Sequence, residues 1–344
     1  VKIFTDYHHG DLYHSLHRLF ECRLGHELYR PIGMEWFREG YWKIGDPYPT
    51  PEGKAKQYLS INKKGWIPFK NLNGEHEVEA NAYRVRDRSH DYDHKALILE
   101  QFKSMKFDVV MPTFPGHDKP FEVLRDRFQP QAKLVMQMGN FRQRTHLPNV
   151  LHSNHYPDPL HDQHCLYYHQ EIDGDLFSPE PPNAETKNVY GIIPLAPYIS
   201  LYEEYRAYVT SANWKYYGHG GSPDGPLSGS RGVAEKMKEA NVAWHTKQGA
   251  GHTTCGWFAV GRPLLTLMSL HRRAGGDALK LFDPGVTCID LESGTAHENS
   301  KRIRELLQPN TNREWCERVW KRFESVVNYE RDAERVERFL GDLR

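Results

Sequence analysis

VAWHTKQGAGHTTCGWFAVGRPLL, residues 242–265, reads as a short strand over 242–246, a turn containing Gly249 and Gly251, a helix from about Thr253, and a second strand after Gly261-Arg262-Pro263. A helix that opens on such a turn leaves its first backbone N–H groups unpaired, and its dipole favours negative charge there. A phosphate or diphosphate fits that position. Lys247 and His252 flank the turn and can add charge or hydrogen bonds, with Thr253 beside them. The competing reading is an ordinary strand–turn–helix unit whose glycines serve only close packing.

Working outward, the same alternation continues on both sides. Strands are expected over 189–193, 214–217, 264–268 and 286–291, and helices over 200–210, 232–240, 298–307, 313–327 and 329–343. Before it, SPEPPNAETKN (residues 178–188) is proline-rich and polar, the best linker in the chain. The N-terminal half opens with a strand over 2–7, a turn, and a helix carrying Leu12, Leu16, Leu19 and Phe20 at three-to-four spacing up to Gly25. A strand over 26–31 follows. Residues 33–94 are irregular and aromatic, and read as an insertion of loops and short elements. A helix over 93–105, a strand over 107–114, a helix over 120–128 and a strand over 133–138 then resume the pattern, with further strands over 150–153 and 165–168. Two doubly wound α/β domains follow from this, over 1–180 and 188–327, with a crossover helix at 328–344.

Composition narrows the function classes. At 344 residues the chain can hold two ordinary cores. Lys plus Arg equals Asp plus Glu at 45 each, so no global basic field draws it to nucleic acid or membrane. No run approaches the about 18 apolar residues of a membrane helix, and no signal peptide is seen, so a cytoplasmic protein is expected, in the host cytoplasm if the chain is viral. The five cysteines form no C-x-x-C pair, which argues for reduced thiols over a disulfide framework or structural zinc. The 20 histidines cluster at 8, 9, 14 and 17, at 152 and 155, and at 161, 164 and 169; a polar surface with one or two catalytic members is expected over a metal site.

The 242–265 segment resembles the donor-nucleotide motif of GT-B glycosyltransferases, where a Gly-rich turn opens a helix that ends in Gly-x-Pro; Gly251-His252-Thr253 is the matching turn and Gly261-Arg262-Pro263 the matching end. One departure is Gly256, near the place where many families of this fold carry a Glu that grips the donor sugar or ribose. The resemblance implies two Rossmann-like domains facing across a cleft, with C-terminal helices packing back on the first. It also implies a nucleotide-diphosphate sugar, a UDP-sugar first of all, as co-substrate, with no metal and no other cofactor.

Within that frame Asp6-Tyr7-His8-His9-Gly10-Asp11 ends the first strand and resembles the His-Gly turn of inverting GT-B enzymes, where that loop supplies the general base. An imidazole suits the role because its pKa lies near working pH. His9 is the first choice, His8 the next, and Asp118 the orienting carboxylate; Asp11 and Asp118 can equally cap helices. Gly220 and Gly221 follow the strand over 214–217 and permit close backbone approach to a ligand, and Asp290 and Glu292 end the strand over 286–291, where a carboxylate can take ribose or sugar hydroxyls. Trp36, Phe37, Tyr41, Trp42 and Tyr48 can stack on a sugar or a flipped base, or pack a core. The expected activity is transfer of a sugar, with inversion, to a hydroxyl acceptor: a hydroxymethylated DNA base, as in the phage DNA glucosyltransferases of this fold, a saccharide or a small molecule. The alternatives are a nucleotide-sugar epimerase, a His-rich metal-dependent hydrolase, and a non-catalytic nucleotide-sugar or nucleic-acid binding module.

Overall fold

The computed structural model describes residues 1–6, 10–31, 78–79, 82–87, 92–97, 99–113, 116–139, 144–153, 159–192, 196–218, 222–227, 229–249, 251–274 and 277–343. The chain forms two compact units, residues 1–171 with 329–344, and residues 172–328.

In the first unit, β1 (Lys2–Thr5), β2 (Glu27–Pro31), β5 (Tyr92–Leu97), β6 (Val109–Met111), β7 (Lys133–Met138), β8 (Asn149–His152) and β9 (His164–Tyr167) run parallel in the order β5-β2-β1-β6-β7-β8-β9. β3 (Val78–Glu79) and β4 (Ala82–Asp87) extend the β5 edge antiparallel. The chain winds outward from β1 through β2 and returns to start again at β6, so β1 and β6 flank the switch point. β1 is buried along its length, with Ile3, Phe4 and Thr5 at zero exposure, as a strand inside a parallel sheet is. Phe4 anchors an aromatic cluster, 4.6 Å from the ring of Phe102 and 5.6 Å from that of Phe121.

Two expectations need correction here. Residues 93–97 are strand, and the helix is confined to Leu99–Ser104. His94 and Ala96 are buried while Asp93 is exposed, a period of two, and β5 is paired on both sides, parallel to β2 and antiparallel to β4. The first helix spans only Gly10–His17 and passes into a π-helical stretch, Arg18–Arg23, before Gly25 turns with φ +64°.

The helix Tyr329–Gly341 completes this unit, placing Ala333, Val336 and Phe339 in its core. The buried Asp332 carboxylate accepts from the backbone N–H (2.9 Å) and Nδ1 (2.7 Å) of His169. Arg23 pairs with Glu171 and Glu330, His26 with Glu337, and His164 stacks on Phe339.

In the second unit, β10 (Asn188–Ile192), β11 (Asn213–Tyr217), β12 (Val242–Trp244), β13 (Leu264–Thr266) and β14 (Cys288–Asp290) are all parallel, in the order β11-β10-β12-β13-β14. Its switch point lies between β10 and β12. Trp244 sits mid-sheet among Tyr202, Tyr205 and Trp214. Residues 178–187 belong to this unit. The Glu180 carbonyl accepts from Arg262, and Asn183 and Thr186 bond to Asn241. Among the described residues no helix is long and apolar enough to cross a membrane.

Candidate active site

The phosphate-type turn forms where the sequence placed it. β12 ends at Trp244, residues 245–249 leave the sheet, and the helix His252–Ala259 begins with Gly251 as its N-cap. Gly249 has φ +74°, a conformation that L side chains rarely adopt; Gly251, the N-cap, is extended at φ −68° and ψ 178°. Gly251 is buried and has a backbone conformation open to any residue, while Gly249 supplies the backbone reversal. The N-cap of this helix, Gly251, has no side chain to cap with, whereas the helix Ala296–Leu306 carries a complete capping box from Thr295 and Glu298. A helix start of this kind, at a switch point, is the geometry in which backbone N–H groups can meet an anion.

Lys247 supplies the charge. Its Nζ donates to Thr253 Oγ1 at 3.3 Å, and among the described residues it has no carboxylate partner. Lys247 is half-buried, and burial pushes its pKa down to about 8. An anion placed against it would restore the charged form, so diphosphate binding and proton uptake are linked. UDP affinity is expected to fall as pH rises through about 8, where the empty site loses its cation. The same depressed pKa makes the folded state bind fewer protons than the unfolded one between about 8 and the ordinary lysine value, so stability rises with pH across that window. Calorimetry at several pH values, with Lys247→Met as the reference, checks both signs; a wild-type affinity that does not decline above pH 8 overturns the assignment.

His252 opens the helix with the Phe177 ring edge-on at 5.5 Å. Gly256 explains the departure from the family pattern: a Cβ there would stand 3.0 Å from Met237 Sδ and 3.1 Å from Phe177 Cε1, so a Glu has no room without movement. Asp290 and Glu292 are caps. Asp290 Oδ1 accepts from the N–H groups of Met268 (3.3 Å) and Glu292 (3.0 Å), and Glu292 Oε2 from that of Ser269 (2.7 Å). They start the helix Met268–Ala274, which the sequence pattern did not reveal, and the observed bonds give no support to a ribose-binding role.

In the first unit a buried dyad stands at the switch point. Asp6 follows β1, Thr113 follows β6, and His117 precedes the helix Asp118–Phe128. His117 Nδ1 lies 2.5 Å from Asp6 Oδ2, which also accepts the Thr113 N–H at 3.1 Å; the Thr113 hydroxyl donates to Asp6 Oδ1. A carboxylate can only accept, so Nδ1 donates to it, and Nε2 is the ring nitrogen turned away from Asp6. Both side chains are almost wholly buried. A carboxylate-oriented imidazole is an arrangement that acid–base chemistry can use. Asp118 is occupied elsewhere: it accepts from the Lys119 N–H (2.8 Å) and Thr145 Oγ1 (3.3 Å), with His146 Nδ1 at 3.5 Å. His8, His9, Gly220, Gly221 and the aromatic group Trp36, Phe37, Tyr41, Trp42 and Tyr48 lie outside the described residues.

No family model matches the chain, and no curated protein matches it by sequence. Solved structures match it in fold. The crystal structure of TarM does so with a TM-score of 0.60 at 10% identity, over 99% of each chain. The pneumococcal O-GlcNAc transferase GtfA, in complex with UDP and GlcNAc, gives 0.56 at 9% identity, again over 99% of each chain. The DNA-modifying enzyme β-glucosyltransferase, solved with and without uridine diphosphoglucose, gives 0.54 at 9% identity, over 99% of this chain and 100% of that one. The chain has the GT-B fold. At such identities the likeness reaches the course of the backbone, and the chemistry has to be argued from this chain's own side chains. Among the described residues of this GT-B chain, no group of three or more His, Cys, Asp or Glu side chains is arranged to hold a metal ion.

Proposed function

We propose that the protein is a glycosyltransferase that moves a sugar from a nucleoside diphosphate donor, a UDP-sugar first of all, to a hydroxyl acceptor. The observation that carries this reading is Lys247, which among the described residues has no carboxylate partner and stands beside the N-terminus of His252–Ala259, bonded to Thr253. In the proposed reaction the acceptor oxygen attacks the anomeric carbon and gives its proton to Nε2 of His117, held by Asp6. The bond from that carbon to the diphosphate oxygen breaks on the opposite side, and the configuration inverts. Lys247 and the first N–H groups of the helix take up the charge on the leaving diphosphate. His9, with His8 beside it, is the rival base. The break proposed from sequence, in residues 178–188, falls inside the compact unit that begins at Ile172, and limited proteolysis with and without nucleotide tests which of the two is the boundary.

The acceptor panel includes saccharides, small hydroxyl compounds and hydroxymethylated DNA; balanced charge, at 45 of each sign, favours an acceptor without a phosphate backbone. UDP at a hundredfold excess over its Kd would stabilise the native state by about 2.7 kcal/mol, enough for a clear rise in melting temperature. Gly251→Val puts two methyl groups where the anion would sit, in a backbone conformation that valine accepts, so the fold is expected to survive while UDP binding weakens by an order of magnitude or more. No melting shift with any nucleoside diphosphate, or equal UDP affinity in a folded Gly251→Val variant, overturns the reading.

A further inference from the structure

Behind the turn runs a chain of buried hydrogen bonds whose direction is fixed at every link. Thr266 Oγ1 donates to the His245 carbonyl at 2.6 Å and lies 2.7 Å from His271 Nε2. Thr254 Oγ1 donates to the Gly249 carbonyl at 2.9 Å and lies 2.8 Å from His245 Nε2. A hydroxyl has one proton and a carbonyl can only accept, so each threonine proton goes to its carbonyl. Each imidazole must then donate from Nε2. The sequence of bonds is His271 to Thr266 to the His245 backbone, and His245 to Thr254 to the Gly249 backbone.

We infer that His271, Thr266, His245 and Thr254 form a positioning relay that sets the Gly249 turn for the donor diphosphate. This rests on the reading of that turn as the donor site. Gly249 is the residue with φ +74°, and a peptide in such a turn can present either its N–H or its carbonyl to a ligand. A carbonyl oxygen facing a diphosphate repels it. Thr254 holds this carbonyl against the helix side, and His245 fixes the threonine rotamer. His245, Thr254, Thr266 and His271 are all at most 2% exposed, so solvent does not compete for these bonds. Burial pushes His271 down to about 3 and His245 well below the ordinary imidazole value, so both rings stay neutral and keep one donor each. His271 Nδ1 has no hydrogen-bond partner among the described residues, and the ring stacks on Phe282 at 3.6 Å, an environment that accepts a neutral ring and not an imidazolium.

The test is calorimetric binding of UDP to the full chain and its variants, with melting temperatures recorded in parallel. Thr254→Val keeps the shape and removes the donor; UDP affinity is expected to fall roughly tenfold, the scale of one buried hydrogen bond. Thr254→Ser restores the hydroxyl and is expected to recover most of the affinity. Thr266→Val, one link further from the turn, is expected to weaken binding in the same direction by less. Nitrogen-15 NMR of the imidazoles is expected to show the Nε2–H tautomer at both His245 and His271. Wild-type binding with an unchanged Thr254→Val variant overturns the relay and leaves the donor site standing. Equal losses of affinity and of melting temperature in the Val and Ser variants, or an Nδ1–H tautomer at His245, also overturn it. A wild type that does not bind UDP overturns the donor site itself, and the relay's role with it.

Discussion

Turnover of a His117→Ala variant is expected to fall by ~10²–10⁴-fold at saturating donor and acceptor, the usual contribution of a positioned general base. UDP affinity is expected to stay at the wild-type value, because the donor turn is built from residues of the second unit. An unchanged thermal unfolding profile shows that the first unit, which carries His117, has folded. Asp6→Asn tests the orienting partner. An amide in place of the carboxylate can offer N–H to Nδ1 and favour the wrong tautomer, which disarms Nε2 without moving the ring. Its kcat is expected to fall while the KM for donor holds. Near-normal turnover in His117→Ala, joined to a large loss in His9→Ala, transfers the role to the first-strand loop.

Arg262→Met is expected to destabilise the second unit by about 3–5 kcal/mol, the range for breaking a fully buried, hydrogen-bonded charge site. The Arg262 guanidinium is completely buried and donates to four carbonyls: Ala240 at 2.6 Å, Glu180 and Lys238 at 2.7 Å, and Val260 at 2.8 Å. Lys238 belongs to the helix Gly229–Glu239 and Ala240 follows it, while Val260 follows the helix His252–Ala259, so one cation serves the negative ends of two helices. Methionine fills the volume and satisfies none of the four. Five of the eight tryptophans lie in residues 172–328, so urea unfolding followed by tryptophan fluorescence reports chiefly on this unit. A loss below about 1 kcal/mol would mean that water replaces the guanidinium.

The second half of the chain was legible because its parallel strands are buried on both faces and its turns carry glycine. Strand, turn and helix over 242–265 could be read almost residue by residue. Residues 93–97 misled because YDHKAL (residues 92–97) has no long apolar run, and only its pairing to β2 and β4 makes it strand. The helix Met268–Ala274 is short and takes its caps from Asp290 and Glu292, about a score of residues downstream, a relation that no local pattern displays. The dyad was hidden in the same way. Asp6 and His117 are 111 residues apart, and they meet only because β1 and β6 are neighbours at the switch point. Sequence reasoning chose His9 as base and Asp118 as its carboxylate; His9 lies outside the described residues, and the pair that the described residues show is His117 with Asp6. Arg262 was visible as the middle residue of Gly-x-Pro, and nothing local announced its four carbonyls.

The helix Tyr329–Gly341 belongs to the first unit yet follows the whole of the second in chain order. During translation, residues 172–328 leave the ribosome as one uninterrupted stretch and can close their sheet at once. The earlier-made first unit must wait, with the core positions later filled by Val336 and Phe339 still open and Glu171 lacking the neighbourhood that Glu330 helps to complete. The order of synthesis and the order of completion are therefore opposed: the half that carries the dyad, begun first, is the last to be finished.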